Sequence, residues 1–543
     1  MLRPLGWAAA VISTFVAVAA FFYPADPTTL SFFSSSCPLA SSQSLATTNK
    51  PHHPSWNSWW HPERSRGVPA EHQLGGGSTT DDWNILYHLG GNGPWIEKVS
   101  DVVEGGIAVP DGCVVEQVHM MSRHAERYPT TKHGRLQKSV VDRMKRSGKT
   151  FEGSLAFFND WKLFWTDDND LEQLTGTGPF SGTLSAFTTG VRLRTRYQLL
   201  FSNHTSSLSE GPLKVWASKS QRVAKTALHF VLGFFSRDHD DLFSAHLTQV
   251  SEDASAGANT LTPGRTCLAN KRDLILGCAR GLRKRDEYRA TYTPPIRKRL
   301  AEQAGMTFND SEIYAMQEMC GFETLVRGFS DWCNVFTRDE FLAFEYARDV
   351  LHYYRAGPGN KYAASMGWLW LNATTNLLVQ GPKSGPFFFS FVHDGDIAPM
   401  LTALDIVNDE KHLPTTHIHH DRKWRKSQIS PMGGRIIFEL LSCDIRDRAG
   451  PQKFVRLNIN DGITAIPDCN SGPGKSCPLA QFAERTRKRG VEVGNFKEVC
   501  GLEEDAADRI TFLCQSPIGV LQERAKSETD IGRNMVKLTW EDM

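Results

Sequence analysis

Residues 387–392 read Phe-Phe-Phe-Ser-Phe-Val, apolar except for Ser390, and they run directly into His393-Asp394-Gly395-Asp396. A short run of this kind with no polar alternation predicts a strand buried on both faces, as in a parallel sheet covered by helices. Two further strands belong with it. Cys113–Met120 alternates apolar with polar residues and is rich in Val, and Leu213–Ser218 is a third apolar run. The third is followed by Lys219-Ser220-Gln221-Arg222 and then a helix carrying Val223, Ala227, Phe230, Val231 and Phe234 on one face. The fold class this predicts is α/β, a mostly parallel sheet flanked by helices. In an open sheet of that class, ligands bind where strands end and helices begin.

All three strands end in residues suited to an anion. Cys113–Met120 delivers Met121-Ser122-Arg123-His124-Ala125-Glu126-Arg127-Tyr128-Pro129, Leu213–Ser218 delivers Arg222 at a helix start, and Phe387–Val392 delivers His393-Asp394. Arg123 and Arg127 can fork onto a dianion such as phosphate. A histidine between two cations has a depressed pKa and serves better as a neutral nucleophile than as an anion ligand. Each piece also has a plain reading: a basic surface turn, a surface ion pair, an Asp-Gly-Asp turn. Together they describe phosphoryl transfer from an alcohol to water. Arg123, Arg127 and Arg222 would neutralise the phosphate with no metal or other cofactor required. His124 would attack phosphorus, His393 would bind a phosphate oxygen, and Asp394 would protonate the leaving alkoxide. Asp394 must be protonated and His124 unprotonated, which suits acidic pH if nearby groups raise the carboxyl pKa.

The Arg-His-Ala-Glu-Arg-Tyr-Pro run resembles the Arg-His-Gly-x-Arg-x-Pro signature of the histidine phosphatase superfamily, in its acid phosphatase and phytase branch. The resemblance covers about residues 82–515 and is similar to secreted fungal acid phosphatases and phytases. His88–Ile96, Ser330–Thr337, Leu413-Pro414-Thr415-Thr416, Trp424-Arg425 and Pro431-Met432-Gly433-Gly434-Arg435 carry it. It implies an α/β domain with a helical domain inserted, catalysis between them, glycosylation, disulfides and no metal. It would give Arg123, His124, Arg127, Arg222, His393 and Asp394 the roles derived above. Two positions depart from the pattern. Ala125 replaces the usual glycine, which is compatible with activity if its φ is negative. Asp396 replaces a neutral polar residue and is expected to add negative charge near the phosphate.

At 543 residues the chain suits two intimate domains or one with an insertion. The expected division is 82–235 with 381–543 as the phosphatase domain and 236–380 as the helical insertion. The glycine run Leu89–Gly93 lacks the flanking strand and helix of a phosphate loop, and Arg192, Arg194 and Arg196 read as a solvated helix face. A net charge of +1 implies no nucleic-acid partner. Eleven cysteines without a Cys-x-x-Cys pattern point to disulfides in an oxidising compartment rather than to zinc. The count is odd, and Cys37 is the natural one left over. The sequons at Asn203, Asn309 and Asn372 agree with export. Residues 1–23 read as a signal peptide or an uncleaved membrane anchor, with the tether in residues 5–23. Residues 24–81 read as a flexible stem. The expected function is an acid phosphatase acting on phosphate monoesters, at the cell surface or secreted. The alternatives are a phytase, with Lys132, His133 and Lys219 as the extra basic residues that phytate needs, and an inactive relative that only binds phosphorylated ligands.

Overall fold

The structure, a computed structural model, describes residues 83–165, 167–205, 213–235, 245–446 and 448–515. The leader, the stem and Cys37 lie outside the described residues. Eight strands form one sheet: β1 (Cys113–Arg123), β2 (Leu213–Ser218), β3 (Ala245–Val250), β4 (Phe387–Val392), β5 (Arg435–Cys443), β6 (Gln452–Ile459), β7 (Gly462–Thr464) and β8 (Cys477–Pro478). The order is β3-β2-β4-β1-β5-β6-β7, with β8 on β6. From β3 to β1 all pairs are parallel, and from β1 onward they are antiparallel. The flanking helices include α1 (Thr131–Arg146), α2 (Gly182–Arg196), α3 (Gln221–Phe235), α4 (Ala279–Ala304), α5 (Asp310–Arg327), α6 (Arg338–Ala356), α7 (Ala363–Gln380), α8 (Asp394–Leu404) and α9 (Leu479–Val493).

The strand with the unbroken apolar run is buried over its whole length. Alternate side chains point to opposite faces of a strand. Phe387, Phe389 and Phe391 therefore share a core with Leu193, Phe230 and Phe234 of α2 and α3. Phe388 and Val392 face the other core with Trp370 of α7. Ser390 points to that second face, where its hydroxyl accepts the Trp370 indole N–H at 3.2 Å. The single polar residue in the run is satisfied rather than exposed.

Three readings of the sequence change here. The sheet continues past residue 236, because Ala245–Val250 forms a parallel edge strand on β2. Strand alternation fades in this region because one short edge strand is all that remains of it. The arginines of α2 are not a solvated face. Arg192 and Arg196 reach Asp461 at 2.7 and 2.9 Å, and the Arg194 guanidinium lies over the Phe201 ring. Asp461 gets there because the β6–β7 hairpin turns on Asn460 and Asp461, both with positive φ (48° and 60°), as a tight two-residue turn requires. Among the described residues the cysteines pair as Cys113–Cys443, Cys267–Cys500, Cys320–Cys333 and Cys469–Cys477, and Cys278 and Cys514 are free.

Helices α2 and α3 approach so closely that a Cβ on Gly190 would lie 2.3 Å from the Phe230 carbonyl oxygen. The backbone cannot yield there without separating the helices from β4. Gly190→Val is expected to destabilise the fold by about 1–3 kcal/mol or more, read as a lowered midpoint in thermal or urea unfolding.

Candidate active site

The register of β1 on β4 ends at Arg123 opposite Val392, and the His124 backbone N–H continues it to the Val392 carbonyl at 3.0 Å. This juxtaposes the two motif-bearing strand ends, and the His124 and His393 rings lie 5.9 Å apart. β2, on the other side of β4, brings Arg222 in at the first turn of α3, where its Nη2 lies 3.4 Å from His393 Nδ1. All six residues singled out by sequence therefore meet at the carboxyl edge of the parallel strands.

His124 is buried, and its Nδ1 lies 2.9 Å from the Ala125 carbonyl oxygen. A carbonyl only accepts, so Nδ1 carries the proton and Nε2 keeps its lone pair. Nε2 faces the Arg127 Nε at 3.4 Å. Burial, then Arg123, Arg127, Arg222 and His393, hold the imidazole pKa well below its ordinary value. The result is a neutral imidazole with its free nitrogen turned toward cations, the form required of a nucleophile for phosphorus.

Arg123 is fixed by backbone carbonyls, donating Nη1 to Gly91 and Ser430 at 2.8 Å each. The glycine run 89–93 thus acts on the site through an arginine rather than through phosphate. A Cβ at Gly90 would collide with the Arg348 stem, while the Gly90 carbonyl accepts from Arg348 Nε at 3.0 Å. Arg127 donates to the Tyr128 carbonyl and lies over the Phe322 ring at 5.8 Å. Burial and the neighbouring Arg222 and Arg123 pull its pKa to about 9. Ala125 is absent from the residues with positive φ, so its Cβ is unstrained, and it packs against Leu174 and Ala186.

His393 caps α8. Its Nε2 lies 3.2 Å from Glu252 Oε1, and its backbone N–H donates to Asp396 at 3.0 Å. With Nε2–H given to Glu252, only Nδ1 remains for a bound oxygen. Donation to that oxygen needs the doubly protonated ring, which Glu252 favours and burial opposes.

The two aspartates titrate in opposite directions, and neither behaves as the sequence led one to expect. Burial would push the Asp394 carboxyl up, but Lys426, Arg123, His352 and Arg355 hold it well below the usual carboxylate range. Its Oδ2 lies 3.1 Å from Lys426 Nζ and 3.4 Å from Arg123 Nη2. The neighbours lower the pKa of the intended acid instead of raising it. Asp396 is raised well above the ordinary value by burial and by the nearby Glu252 and Asp394 charges, against the His393 N–H bond, which lowers it. It is neutral at acid pH and adds no negative charge there.

Sequence reading missed Glu252, Glu172, Lys426, Arg348 and His352. Glu172 takes an ion pair from Arg222 at 3.2 Å and holds Thr131. Arg348 joins Asn92, Glu318 and His352 in one buried network beneath Asp394. Nothing in local sequence flags these residues, because they arrive from α6 and from loops distant in the chain.

A model of the histidine phosphatase superfamily (branch 2) matches residues 114–460. The chain belongs to that family. It is 32% identical to a Candida albicans phytase over 80% of this chain and 91% of that one. It is 33% identical to the constitutive acid phosphatase of Saccharomyces cerevisiae, over 77% of this chain and 87% of that one. Among solved structures, the phytase from D. castellii superposes with a TM-score of 0.73 at 29% identity, covering 87% of this chain and 97% of that one.

The raised pKa of Asp396 carries a prediction. A carboxyl whose folded pKa lies above its unfolded value gives stability that is present below the unfolded pKa and lost as pH rises through the folded one. Asp396→Asn keeps the acceptor for His393 and removes the titration. Its unfolding midpoint is expected to match the native chain at about pH 3 and to exceed it at about pH 7.

Proposed function

We propose that the chain is an acid phosphatase that hydrolyses phosphate monoesters through a phosphohistidine on His124. The observation that carries this reading is the fixed tautomer of His124, with Nε2 unprotonated and facing Arg127 Nε at 3.4 Å beside Arg123 and Arg222. The three guanidiniums hold the phosphate oxygens, and the His393 ring supplies a further donor when doubly protonated. In the first step the Nε2–P bond forms as the P–O bond to the alcohol breaks, and Asp394 gives its proton to the departing oxygen. In the second, water attacks phosphorus, its proton passes to the Asp394 carboxylate, and phosphate leaves His124. The incoming dianion changes the charge around Asp394. It offsets the Arg123 charge and adds negative charge beside Asp394, raising that carboxyl toward protonation at acid pH.

Phytase is the second reading, since relatives of both kinds carry this fold. The acid phosphatase reading is favoured at Arg222. Glu172, with a side chain 40% exposed, pairs with that arginine at the rim and would repel the further phosphates of a polyphosphorylated ring. Of the basic residues considered for phytate, Lys132 and Lys219 are exposed near the same sheet edge, whereas His133 is committed to Glu318 at 3.1 Å.

Four disulfides support an oxidising compartment, and with it the reading of residues 1–23 as an export signal or anchor ahead of a stem over 24–81. No helix among the described residues is long and apolar enough to cross a membrane. Asn203 and Asn309 are exposed, and Asn309 caps α5 through its Oδ1, which leaves its nitrogen available for a glycan. Asn372 is half-buried on α7 with Thr374 fully buried, and is the poorest acceptor of the three.

The test is phosphate release at acid pH from an aryl phosphate and from phytate, with a chelator present, by the native chain and by His124→Ala. The expected result is chelator-resistant release, faster on the aryl phosphate, reduced at least about a thousandfold in His124→Ala. Release that survives loss of His124 counts against the mechanism, and a higher rate on phytate favours the phytase reading.

A further inference from the structure

Lys426 is the least expected residue at the centre. It comes from the loop before β5, and its side chain is 1% exposed. A lysine is seldom buried so deeply without a task that repays its desolvation. Its Nζ reaches the Ser430 hydroxyl at 2.6 Å and carbonyl at 3.1 Å, and Asp394 Oδ2 at 3.1 Å. The room for its stem comes from Gly91, where a Cβ would crowd Lys426 Cγ at 3.2 Å. The Ser430 carbonyl that accepts from Lys426 also accepts from Arg123. One peptide oxygen thus ties both cations that hold the Asp394 carboxylate.

We propose that Lys426 is the positioning residue of the general acid: it anchors Oδ2 of Asp394, turns Oδ1 toward the leaving group, and sets the upper pH limit of the reaction. The proposal rests on the phosphatase reading above. Asp394 works as an acid only while protonated, and an ammonium at 3.1 Å favours its ionised form. The lysine therefore secures the geometry of the acid and confines its use to low pH. Other charged groups face this pair from α6 and β1, namely Arg348, Asp349, His352, Arg355 and Arg123. The arginines stay charged throughout. His352, whose Nδ1 lies 3.9 Å from Asp394 Oδ2, is held well below its ordinary pKa by burial and by Lys426, and it is present in every variant compared. Asp349, raised to about 6 by burial, bonds the Lys426 backbone N–H and Arg422 Nε, both at 2.6 Å, and keeps those partners when the lysine side chain changes. Burial also lowers Lys426 itself, to about 7.

The experiment compares the native chain with Lys426→Met and Lys426→Arg, on an alkyl phosphate and on an aryl phosphate with a good leaving group, across the pH range. An alkoxide needs the proton from Asp394, whereas a stabilised phenolate leaves without it. In Lys426→Met the alkaline limb on the alkyl phosphate is expected to move up by about one pH unit or more. At the optimum its kcat is expected to fall about tenfold on the alkyl ester and to stay within about threefold on the aryl ester. Lys426→Arg, which keeps the charge, leaves the limb in place. If Lys426→Met does not fold, Lys426→Gln, which keeps a donor for Ser430, gives the same readout. An unmoved limb, or equal losses on both esters, overturns the role of Lys426 while native activity stands. No release by the native chain from either ester would instead remove the phosphatase reading on which it rests.

Discussion

Positive charge packed into a buried edge of the sheet is the constraint that the rest of this molecule answers. Arg123, Arg127 and Lys426 are almost fully enclosed, and Arg222 stands beside them. Each would be costly to bury alone. The cost is offset by peptide carbonyls of Gly91, Tyr128 and Ser430 and by the carboxylates of Asp394 and Glu172. Those groups come from the glycine-rich N-terminal loop, the loop after β1, the segment between α1 and α2, the start of α8 and the loop before β5. Beneath Asp394, Glu318 of α5 holds Arg348 of α6. Arg348 Nε in turn donates to the Gly90 carbonyl, which ties the helical layer to the glycine-rich loop that holds Arg123. Burial, and after it the cations facing His124, keep its imidazole neutral.

Asp394 and Asp396 lie two residues apart on one helix turn and are driven in opposite directions. The difference is direction of exposure to charge. Asp394 looks toward Lys426 and Arg123, while Asp396 turns back to cap His393 near Glu252. Such divergence between neighbouring carboxyls commonly accompanies acid–base work. In the proposed reaction the ionised member is the one that protonates the leaving group, so its protonation depends on the phosphate charge arriving with the ester.

The core of the site was legible because its residues sit at strand ends, where an apolar run or a Val-rich alternation breaks off into polar chemistry. Phe387–Val392 stated its own burial. What sequence could not convey was long-range pairing. Arg192 and Arg196 have the spacing of a solvated helix face, and only the fold shows Asp461 held against them. Lys426 reads as one basic residue in Trp424-Arg425-Lys426-Ser427, with nothing local to say that it is buried on Asp394. Helix α4 runs through Pro294 and Pro295, residues that normally end a helix, so propensity alone does not give its full span. Likewise the pKa of Asp394 depends on neighbours contributed by three separate segments, and inspection of His-Asp-Gly-Asp gives no sign of it.

The account stands or falls on where the phosphoryl group goes. The decisive measurement is rapid quenching of the native chain with substrate into alkali, where phosphohistidine survives, followed by mass spectrometry of its peptides. The account predicts a phosphoryl group on His124 during turnover and none on Asp394→Asn once its slowed first step limits the reaction. A phosphorylated residue other than His124, or turnover with no covalent intermediate at all, would contradict it.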